Sequence, residues 1–242
     1  MKYALISDIH GNLEALEAVL EDIAQEKPDK IMCLGDIIGY GSDPNTCLEL
    51  VNKYCDVILI GNHEYTALGL SSTENYNEAA KEASEWTTAQ LSDREISTIS
   101  NFKMTHSEDN ILFVHASPFE PEKWHYIIAP NAALEGFYNF DEKLCFFGHT
   151  HLPQIFIEQP NGLPRCQAGH DFLPNENVRY LINTGSVGQP RDLDSRSCYL
   201  IFDTEEHEVI YRRVKYDINK TQSKMAAANM PELLITRLSA GR

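Results

Sequence analysis

The chain has 242 residues, which is enough for one large domain with its own hydrophobic core. Apolar residues make up 43% and charged residues 23%, which is ordinary for a globular protein and excludes a disordered chain. With 36 acidic and 20 basic residues, the net charge is −16. Such a chain lacks the basic surface that drives non-specific nucleic-acid binding, and an anionic membrane would repel it. We therefore expect no stable nucleic-acid partner and no membrane association.

The six cysteines show no Cys-x-x-Cys pair and no spacing of a disulfide framework. Cys33, Cys145 and Cys198 lie inside apolar runs, which indicates small buried side chains. This usage is typical of a reducing cytosol. No segment approaches the roughly 18 apolar residues of a membrane span, and the N-terminus lacks the pattern of a leader peptide. These features predict a cytoplasmic protein.

The first third of the chain alternates apolar strand patterns with helical patterns. Residues 3–8 are predicted to form a buried strand, and Asn12 is predicted to cap a helix with one apolar face. A second strand is predicted at 31–36, a helix with Pro44 at its first position, and a third strand at 57–62. This alternation predicts parallel neighbouring strands with helices on the outer face of the sheet.

The rest of the chain is first helical and then rich in β-structure. Residues 64–106 are polar and helical in pattern, and a hairpin is predicted around the Asn-Gly turn at 161–162. Further strands are predicted at 111–115, 144–148, 180–184, 198–203 and 208–216. A helical tail is predicted from residue 219. Together these patterns predict a single α/β domain over residues 1–242, a four-layer αββα sandwich of two mixed β-sheets flanked by helices.

Metal-capable side chains interrupt the apolar strands at their ends. One follows each of five predicted strands: Asp8, Asp36, Asn62, His115 and His149. Sites form at the carboxyl ends of strands in α/β sheets, so we expect these residues to cluster. His10 and His151 add a ligand at i+2, and on extended backbone such residues point the same way. Seven candidates exceed the roughly four ligands of one tetrahedral ion, and two ions that share a bridging carboxylate fit better.

The motifs around these residues resemble those of the calcineurin-like metallophosphoesterase family over residues 5–191. In chain order they are Asp8-x-His10, Gly35-Asp36, Gly61-Asn62-His63-Glu64, the strand-end His115, and Gly148-His149-Thr150-His151. Taken alone, His115 fits a core histidine and Asn62 a helix cap. All five motifs in the family order favour one metal site. Residues 183–192 also resemble a glycine-rich segment of the short bacterial phosphodiesterases and phosphatases.

The resemblance implies roles for each of these residues. Two transition-metal ions (Mn, Fe or Zn) would be cofactors, held by Asp8, His10 and His151 on one side and by Asn62, His115 and His149 on the other. Asp36 would bridge the ions, and a hydroxide between them would attack phosphorus. His63 would bind substrate rather than metal, and it would stabilise charge or protonate the leaving oxygen. The catalytic residues would thus be Asp36 and His63.

Three other features have two readings each. Arg191 could bind substrate phosphate, or it could form a surface ion pair with Asp192 or Asp194, which we favour. His125 could line the cleft or belong to a packed aromatic cluster. The acidic stretch at 74–85 is expected to be a solvated helix face, and a cap over the cleft is the alternative.

The expected function is dimetal-dependent hydrolysis of a small phosphoester, most simply a phosphodiester or a nucleotide-like molecule. The alternative within enzymes is a phosphoprotein Ser/Thr phosphatase, which would need an open groove in place of a closed pocket. A non-catalytic scaffold is a third hypothesis, and His63 argues against it because a scaffold would not need that residue.

Overall fold

The computed structural model describes residues 1–74 and 76–242. The strands of these residues, in chain order, are β1 (Lys2–Ile6), β2 (Lys30–Cys33), β3 (Val57–Ile58), β4 (Thr105–Glu108), β5 (Ile111–Val114), β6 (Leu144–Phe147), β7 (Gln154–Ile157), β8 (Arg165–Ala168), β9 (Tyr180–Asn183), β10 (Ser197–Asp203) and β11 (Glu208–Val214). The helices are α1 (Leu13–Glu26), α2 (Pro44–Tyr54), α3 (Asn62–Ala67), α4 (Glu78–Gln90), α5 (Asp93–Ile99), α6 (Pro130–Phe137), α7 (Ile218–Ala227) and α8 (Glu232–Ala240). A short 3-10 helix spans Pro121–Lys123.

The first sheet has the strand order β11-β10-β1-β2-β3. Its β1, β2 and β3 are parallel neighbours, as the alternating pattern predicted, while β10 runs antiparallel to β1. Strand β3 is shorter than predicted. After Ile58 the chain forms only an isolated bridge from Leu59 to Lys103 and then enters α3 at Asn62. The end of this strand is therefore a turn into a helix.

The second sheet has the strand order β4-β5-β6-β9-β7-β8. Strands β5, β6 and β9 are parallel, whereas β7 and β8 form the predicted antiparallel hairpin. The carboxyl ends of β5 and β6 lie on the same side as those of the parallel strands of the first sheet, because Gly148 and Asp8 meet there. Both sheets therefore contribute loops to one edge.

The core lies between the two sheets, which pack face to face. Tyr3 and Leu5 of β1 belong to this layer together with Phe113 and Phe146 of the second sheet. Ala4 and Ile6 point the other way and pack against the layer that contains α1 and α2. Because both faces of β1 are covered, its sequence is continuously apolar instead of alternating. The predicted αββα sandwich is confirmed.

The outer layers are helical. Helix α6 covers the second sheet through Ala133 and Phe137. Helices α4, α7 and α8 pack on one another and on Tyr40 through a separate apolar cluster. Among the described residues, no helix has the length and apolar character that a bilayer crossing needs.

Helix ends follow the signals in the sequence. The side chain of Asn12 accepts a hydrogen bond from the amide of Ala15 at 3.2 Å and so caps α1. Pro44 occupies the first turn of α2, and Ser92 forms a capping box with Glu95 at the start of α5. Gly241 ends α8 in the left-handed conformation, as C-cap glycines do.

Replacing Phe146 tests the core between the sheets. Its side chain is fully buried, and its ring centroid lies 5.9 Å from that of Phe113 and 5.6 Å from that of Phe202. Phe146→Ala should lower the free energy of unfolding by about 3–5 kcal/mol in urea denaturation, because it leaves a cavity. Tyr138→Ala is the control, since Tyr138 is 75% exposed and should change stability by less than about 0.5 kcal/mol. Equal losses in the two variants would contradict the packing described.

Candidate metal centre

The loops at one edge of the two sheets bring all seven predicted ligands into the interior. Their exposed fractions run from 0% for Asp8 and His115 to 9% for Asn62. Side chains so polar are rarely buried unless they are paired or bind a cation. The contacts among them therefore show what the site can hold.

Asp8, His10 and His151 form the first cluster. Their potential ligand atoms all lie within 4.8 Å of one another. The Nε2 of His151 is 3.4 Å from an Asp8 carboxylate oxygen and 3.1 Å from the Nε2 of His10. Three donor atoms thus face a common point, as they would around one metal ion.

Asp36, His115 and His149 form the second cluster, again with ligand atoms within 4.8 Å of one another. The Nε2 of His115 lies 3.2 Å from the Oδ2 of Asp36, and the Nε2 of His10 lies 3.8 Å from the same oxygen. Asp36 therefore belongs to the second cluster and also faces His10 of the first, as a bridging carboxylate would.

Three buried candidate ligand atoms have no hydrogen-bond partner among the described residues. They are the Oδ1 of Asn62 and the Nε2 atoms of His115 and His149. The other end of the Asn62 amide donates to the hydroxyl of Tyr76 at 3.0 Å, which leaves its oxygen free to face the centre. An unsatisfied buried polar atom is costly and calls for an explanation, and a cation supplies one. The donor set, oxygen and nitrogen without thiolate, suits Mn, Fe or Zn.

Backbone carbonyls hold three of the imidazole rings. The Nδ1 atoms of His10, His115 and His151 lie within hydrogen-bond distance of the carbonyls of Ile38 (3.1 Å), Leu34 (2.9 Å) and Gln189 (2.6 Å), respectively. A ring that donates its Nδ1 proton to a carbonyl presents the Nε2 lone pair on its other side. This orientation is the one that metal-binding histidines use.

The backbone at five of the seven candidates is left-handed, not extended. The φ angles are +55° at Asp8, +51° at His10, +52° at Asp36, +65° at His149 and +59° at His151. The i+2 pairs do converge, but by two sharp turns and not along a strand, which corrects the predicted geometry. Non-glycine residues adopt this conformation rarely and at a cost of about 1–2 kcal/mol each, and such strain collects at functional sites.

Two glycines allow the carboxylates to come close to the backbone. A Cβ atom on Gly61 would clash with the carboxylate of Asp36, and one on Gly148 would clash with that of Asp8. A side chain at either position would therefore displace a candidate metal ligand.

Burial sets the charge state of the centre. It raises the pKa of Asp8 to about 7, with the charge of Asp36 adding to the effect and that of His115 opposing it. Burial alone would lower the pKa of His115, but the Asp36 carboxylate, together with Asp8 and Glu64, outweighs burial and raises that pKa to about 9. Two carboxyl groups crowded in an interior repel each other, and bound cations would relieve that repulsion.

His63 lies beside both clusters. Its backbone amide donates to the Oδ1 of Asp36 at 3.0 Å, and its ring centroid is 4.9 Å from that of His10 and 4.5 Å from that of Tyr40. The Nδ1 of its ring is buried and has no hydrogen-bond partner among the described residues. Burial lowers its pKa, so the ring is neutral near pH 7. Asn62 is the first residue of α3 and Gly61 its N-cap, which excludes the helix-cap reading of Asn62.

The predicted ion pair of Arg191 with Asp192 or Asp194 is wrong. Asp192 pairs with Arg213, and Asp194 pairs with Arg196 at 2.6 Å. The Arg191 guanidinium instead donates to the side chain of Gln189 at 2.9 Å. After burial, the charge of Arg191 is the largest influence that lowers the pKa of His151, which places the guanidinium near the first cluster.

Aromatic side chains enclose the centre, although His125 is not one of them. The His125 ring stacks on Phe119 at 5.2 Å and its side chain is 45% exposed, as in the packed-cluster reading. Its neighbours face inward: the Trp124 centroid lies 5.9 Å from that of His115, and the Tyr126 centroid lies 4.1 Å from that of His149.

Residue 75 of the stretch at 74–85 lies outside the described residues; the others are mostly a solvated helix face, as expected, but Tyr76 reaches the site. Helix α4 buries Ala83 against α7 and α8, while Glu82 and Glu85 remain exposed. Ahead of the helix, the ring centroid of Tyr76 lies 5.9 Å from that of His63. Tyr76 therefore covers one side of the site, which agrees in part with the alternative of a cap over the cleft.

Glu64 is a residue of the site to which the sequence analysis gave no role. Its Oε1 accepts hydrogen bonds from the amides of Ile37 and Ile38 at 2.8 and 3.0 Å, and its Oε2 accepts from those of Asp36 and Gly61, both at 2.9 Å. Burial and then the Asp36 charge raise its pKa to about 7, while the amide donors favour the ionised form. The sequence feature that could have indicated this role is a glutamate at the third position of a helix, which is the capping-box pattern.

Glu64→Gln tests this positioning role. The amide would bring N–H donors against backbone N–H groups, so the loop that carries Asp36 should shift. We expect a loss of about 2–4 kcal/mol of stability in urea denaturation. Glu78→Gln, at the exposed start of α4, is the matched control and should be nearly neutral. Equal stability in both variants would show that the four hydrogen bonds do not hold the loop.

Comparison with known proteins places this geometry in a family. The sequence model described as calcineurin-like phosphoesterase matches residues 1–153. The uncharacterized protein MJ0912 of Methanocaldococcus jannaschii is 39% identical over an alignment of 243 positions. The alignment covers 99% of this chain and 98% of that protein. The crystal structure of a metallophosphoesterase from Sphaerobacter thermophilus is 40% identical, with a TM-score of 0.87 over 100% of this chain and 99% of its own.

A third match concerns the fold alone. The crystal structure of the hypothetical protein PH1004 from Pyrococcus horikoshii OT3 is 18% identical, with a TM-score of 0.79 over 100% of this chain and 98% of its own. The family model spans more than half of the sequence, and two relatives align almost end to end at about 40% identity. The chain therefore belongs to the calcineurin-like phosphoesterase family.

Proposed function

We propose that the protein hydrolyses phosphoester bonds with two metal ions. The first ion would be held by Asp8, His10 and His151, the second by Asn62, His115 and His149, and Asp36 would bind both. The observation that carries this proposal is the pair of buried clusters on either side of the Asp36 carboxylate. Family membership supports the reaction class.

The chemistry of the centre follows from these donors. When bound, two such ions lower the pKa of a coordinated water and neutralise charge on a phosphoryl group. The chain supplies the orientation. Glu64 fixes the loop of Asp36, and the carbonyls behind His10, His115 and His151 fix the rings.

His63 is the proposed acid of the reaction. Its neutral ring sits beside Asp36 and His10, close to where a bound phosphoryl group would lie. A neutral imidazole can donate a hydrogen bond to a phosphoryl oxygen, and after it has taken up a proton the imidazolium can pass that proton to the leaving oxygen. Its presence in the centre also argues against a non-catalytic scaffold.

The enclosure of the site favours a small substrate. The candidate ligands are at most 9% exposed, and Tyr40, Tyr76 and Tyr126 stand around the histidines. A folded phosphoprotein would need an open groove, so we propose a phosphodiester or a nucleotide-like molecule as substrate. The phosphoprotein phosphatase remains the second candidate, and the shared donor set is the observation that favours it.

We further propose that the chain is one domain, since both sheets share one core. The six cysteines are free, which supports action in a reducing cytoplasm. The acidic composition supports the absence of nucleic-acid and membrane partners.

Removal and restoration of metal test the proposal. Protein treated with a chelator should lose turnover of bis(p-nitrophenyl) phosphate, and added Mn²⁺ should restore it. Asp36→Asn should bind metal at least about 100-fold more weakly and should not regain activity, because the bridging charge is gone. Asp93→Asn makes the same change at an exposed helix position and should behave like the native protein. Metal content comes from elemental analysis. Normal turnover in Asp36→Asn would disprove the two-metal assignment.

His63→Ala separates catalysis from metal binding. It should keep the metal content of the native protein and lower kcat by about 10²–10⁴-fold, the usual contribution of a general acid. His170→Ala, at an exposed histidine, should leave both quantities unchanged. Loss of metal in His63→Ala would instead make His63 a ligand, which its closeness to Asp36 and His10 also permits.

A further inference from the structure

The side-chain amide of Asn62 belongs to a closed ring of hydrogen bonds with Thr66 and Tyr76. Its Nδ2 donates to the hydroxyl of Tyr76 at 3.0 Å. That hydroxyl lies 3.1 Å from the Oγ1 of Thr66, which donates to the backbone carbonyl of Asn62 at 2.8 Å. The ring therefore begins and ends on a residue that is a candidate metal ligand.

The protons of this ring can run in only one direction. A hydroxyl group has one proton to donate. Since Thr66 gives its proton to a carbonyl, which has none to return, Tyr76 must donate to Thr66. The hydroxyl of Ser71, 2.8 Å from the Oγ1 of Thr66, must donate to it for the same reason. The proton of Tyr76 is thus committed to Thr66, and its oxygen can only accept a hydrogen bond from Asn62.

The direction of these protons decides which end of the Asn62 amide is left for the metal centre. Only the amide nitrogen can donate to Tyr76, so the Oδ1 occupies the other branch of the side chain. Turning the amide over would bring two oxygens together at Tyr76 and would present N–H groups in place of the Oδ1. The Oδ1 is buried and has no hydrogen-bond partner among the described residues.

The neighbours of Asn62 place it against the centre. The backbone amide of His63 donates to the Oδ1 of Asp36 at 3.0 Å, and a Cβ atom on Gly61 would lie only 2.2 Å from the same oxygen. Both residues next to Asn62 in the chain therefore touch the carboxylate that is proposed to bridge the ions.

Tyr76 reaches Asn62 from a different segment of the chain. Helix α3 ends at Ala67 and α4 begins at Glu78, so Tyr76 lies in the connection between them. None of the seven candidate ligands lies in that connection. Its contribution to the centre is the half-buried Tyr76 hydroxyl, which holds the Asn62 amide from behind.

We propose that Tyr76 is a positioning residue of the metal centre, which holds the Asn62 amide in the orientation that binds the second ion. The inference rests on the proposed phosphoesterase function, in which Asn62 binds that ion together with His115 and His149. A cation binds an amide oxygen and is repelled by N–H groups, so a partner that can only accept selects the amide orientation that the ion needs. Tyr76 acts through Asn62 and need not touch the substrate.

Tyr76→Phe tests the proposal, because it removes the hydroxyl and keeps the ring. Mn²⁺ binding to chelator-treated protein is measured by calorimetry, and electron paramagnetic resonance distinguishes one bound Mn²⁺ from a coupled pair. One ion should bind as in the native protein and the other about 10–100-fold more weakly, the usual cost of losing a contact behind a ligand. Saturating Mn²⁺ should restore kcat, since Asn62 itself is still present.

Two further variants separate the direction of the protons from general damage. Thr66→Val frees the proton of Tyr76, which can then hold the amide turned over, so the same ion should bind more weakly. Tyr65→Phe is the matched control on the same helix, where the Tyr65 ring packs edge-on against Trp124 at 5.3 Å. It should bind both ions as the native protein does. Metal-free Tyr76→Phe should unfold within about 4 °C of the native protein, the effect of one hydrogen bond.

The outcomes distinguish this proposal from the phosphoesterase proposal. If the native protein binds two ions and Tyr76→Phe binds both as tightly, the positioning role is rejected and the two-metal assignment stands. Equal weakening of both ions would also reject that role, because the damage would then be general. A native protein that binds fewer than two ions would reject both proposals. Selective weakening of one ion in a protein that hydrolyses no phosphoester would uphold the role of Tyr76 and reject the reaction.

Discussion

Two carboxylates, Asp8 and Asp36, are buried together among imidazole rings, and the rest of the site is arranged around that constraint. Neither acid has a lysine or arginine partner among the described residues, and histidines and backbone amides meet them. A buried negative charge without such a partner is costly. A bound cation must therefore supply positive charge when the site functions. The Oδ1 of Asn62 and the Nε2 of His149, which have no hydrogen-bond partner among the described residues, mark where that cation would bind.

This constraint explains the layer of contacts behind the ligands. Glu64 collects four backbone amides and thereby fixes the loop of Asp36 relative to the start of α3. The hydroxyl of Ser186 binds the carbonyl of Asp8 at 2.8 Å and ties the glycine-rich segment to the first strand loop. Asn12 connects this segment to α7, because its side chain donates a hydrogen bond to the Gly188 carbonyl and accepts one from Thr221. The site thus depends on segments from the whole length of the chain.

Much of this arrangement could be predicted from the sequence, because apolar strands that end in metal-capable residues give a regular signal. The layers and the parallel strands followed from that pattern, whereas the bridging position of Asp36 was implied by the resemblance to a known family. The left-handed turns at Asp8 and His149 could not, since the i+2 spacing fits an extended strand equally well. The partner of Arg191 was predicted wrongly because neighbours in sequence suggested an ion pair, whereas Asp192 and Asp194 turn toward arginines farther along the chain. The role of Glu64 became visible only when the loop of Asp36 and the start of α3 were seen together.

The left-handed turns have a consequence for how such a site can change over time. Asparagine and glycine adopt this backbone readily, whereas valine, isoleucine and threonine adopt it with difficulty. Asp8 and Asp36 can therefore drift to asparagine with little disturbance of the chain, and their exchange for a β-branched residue would bend the loop itself. Lineages that abandon hydrolysis should accordingly keep the shape of these turns for longer than they keep the charges.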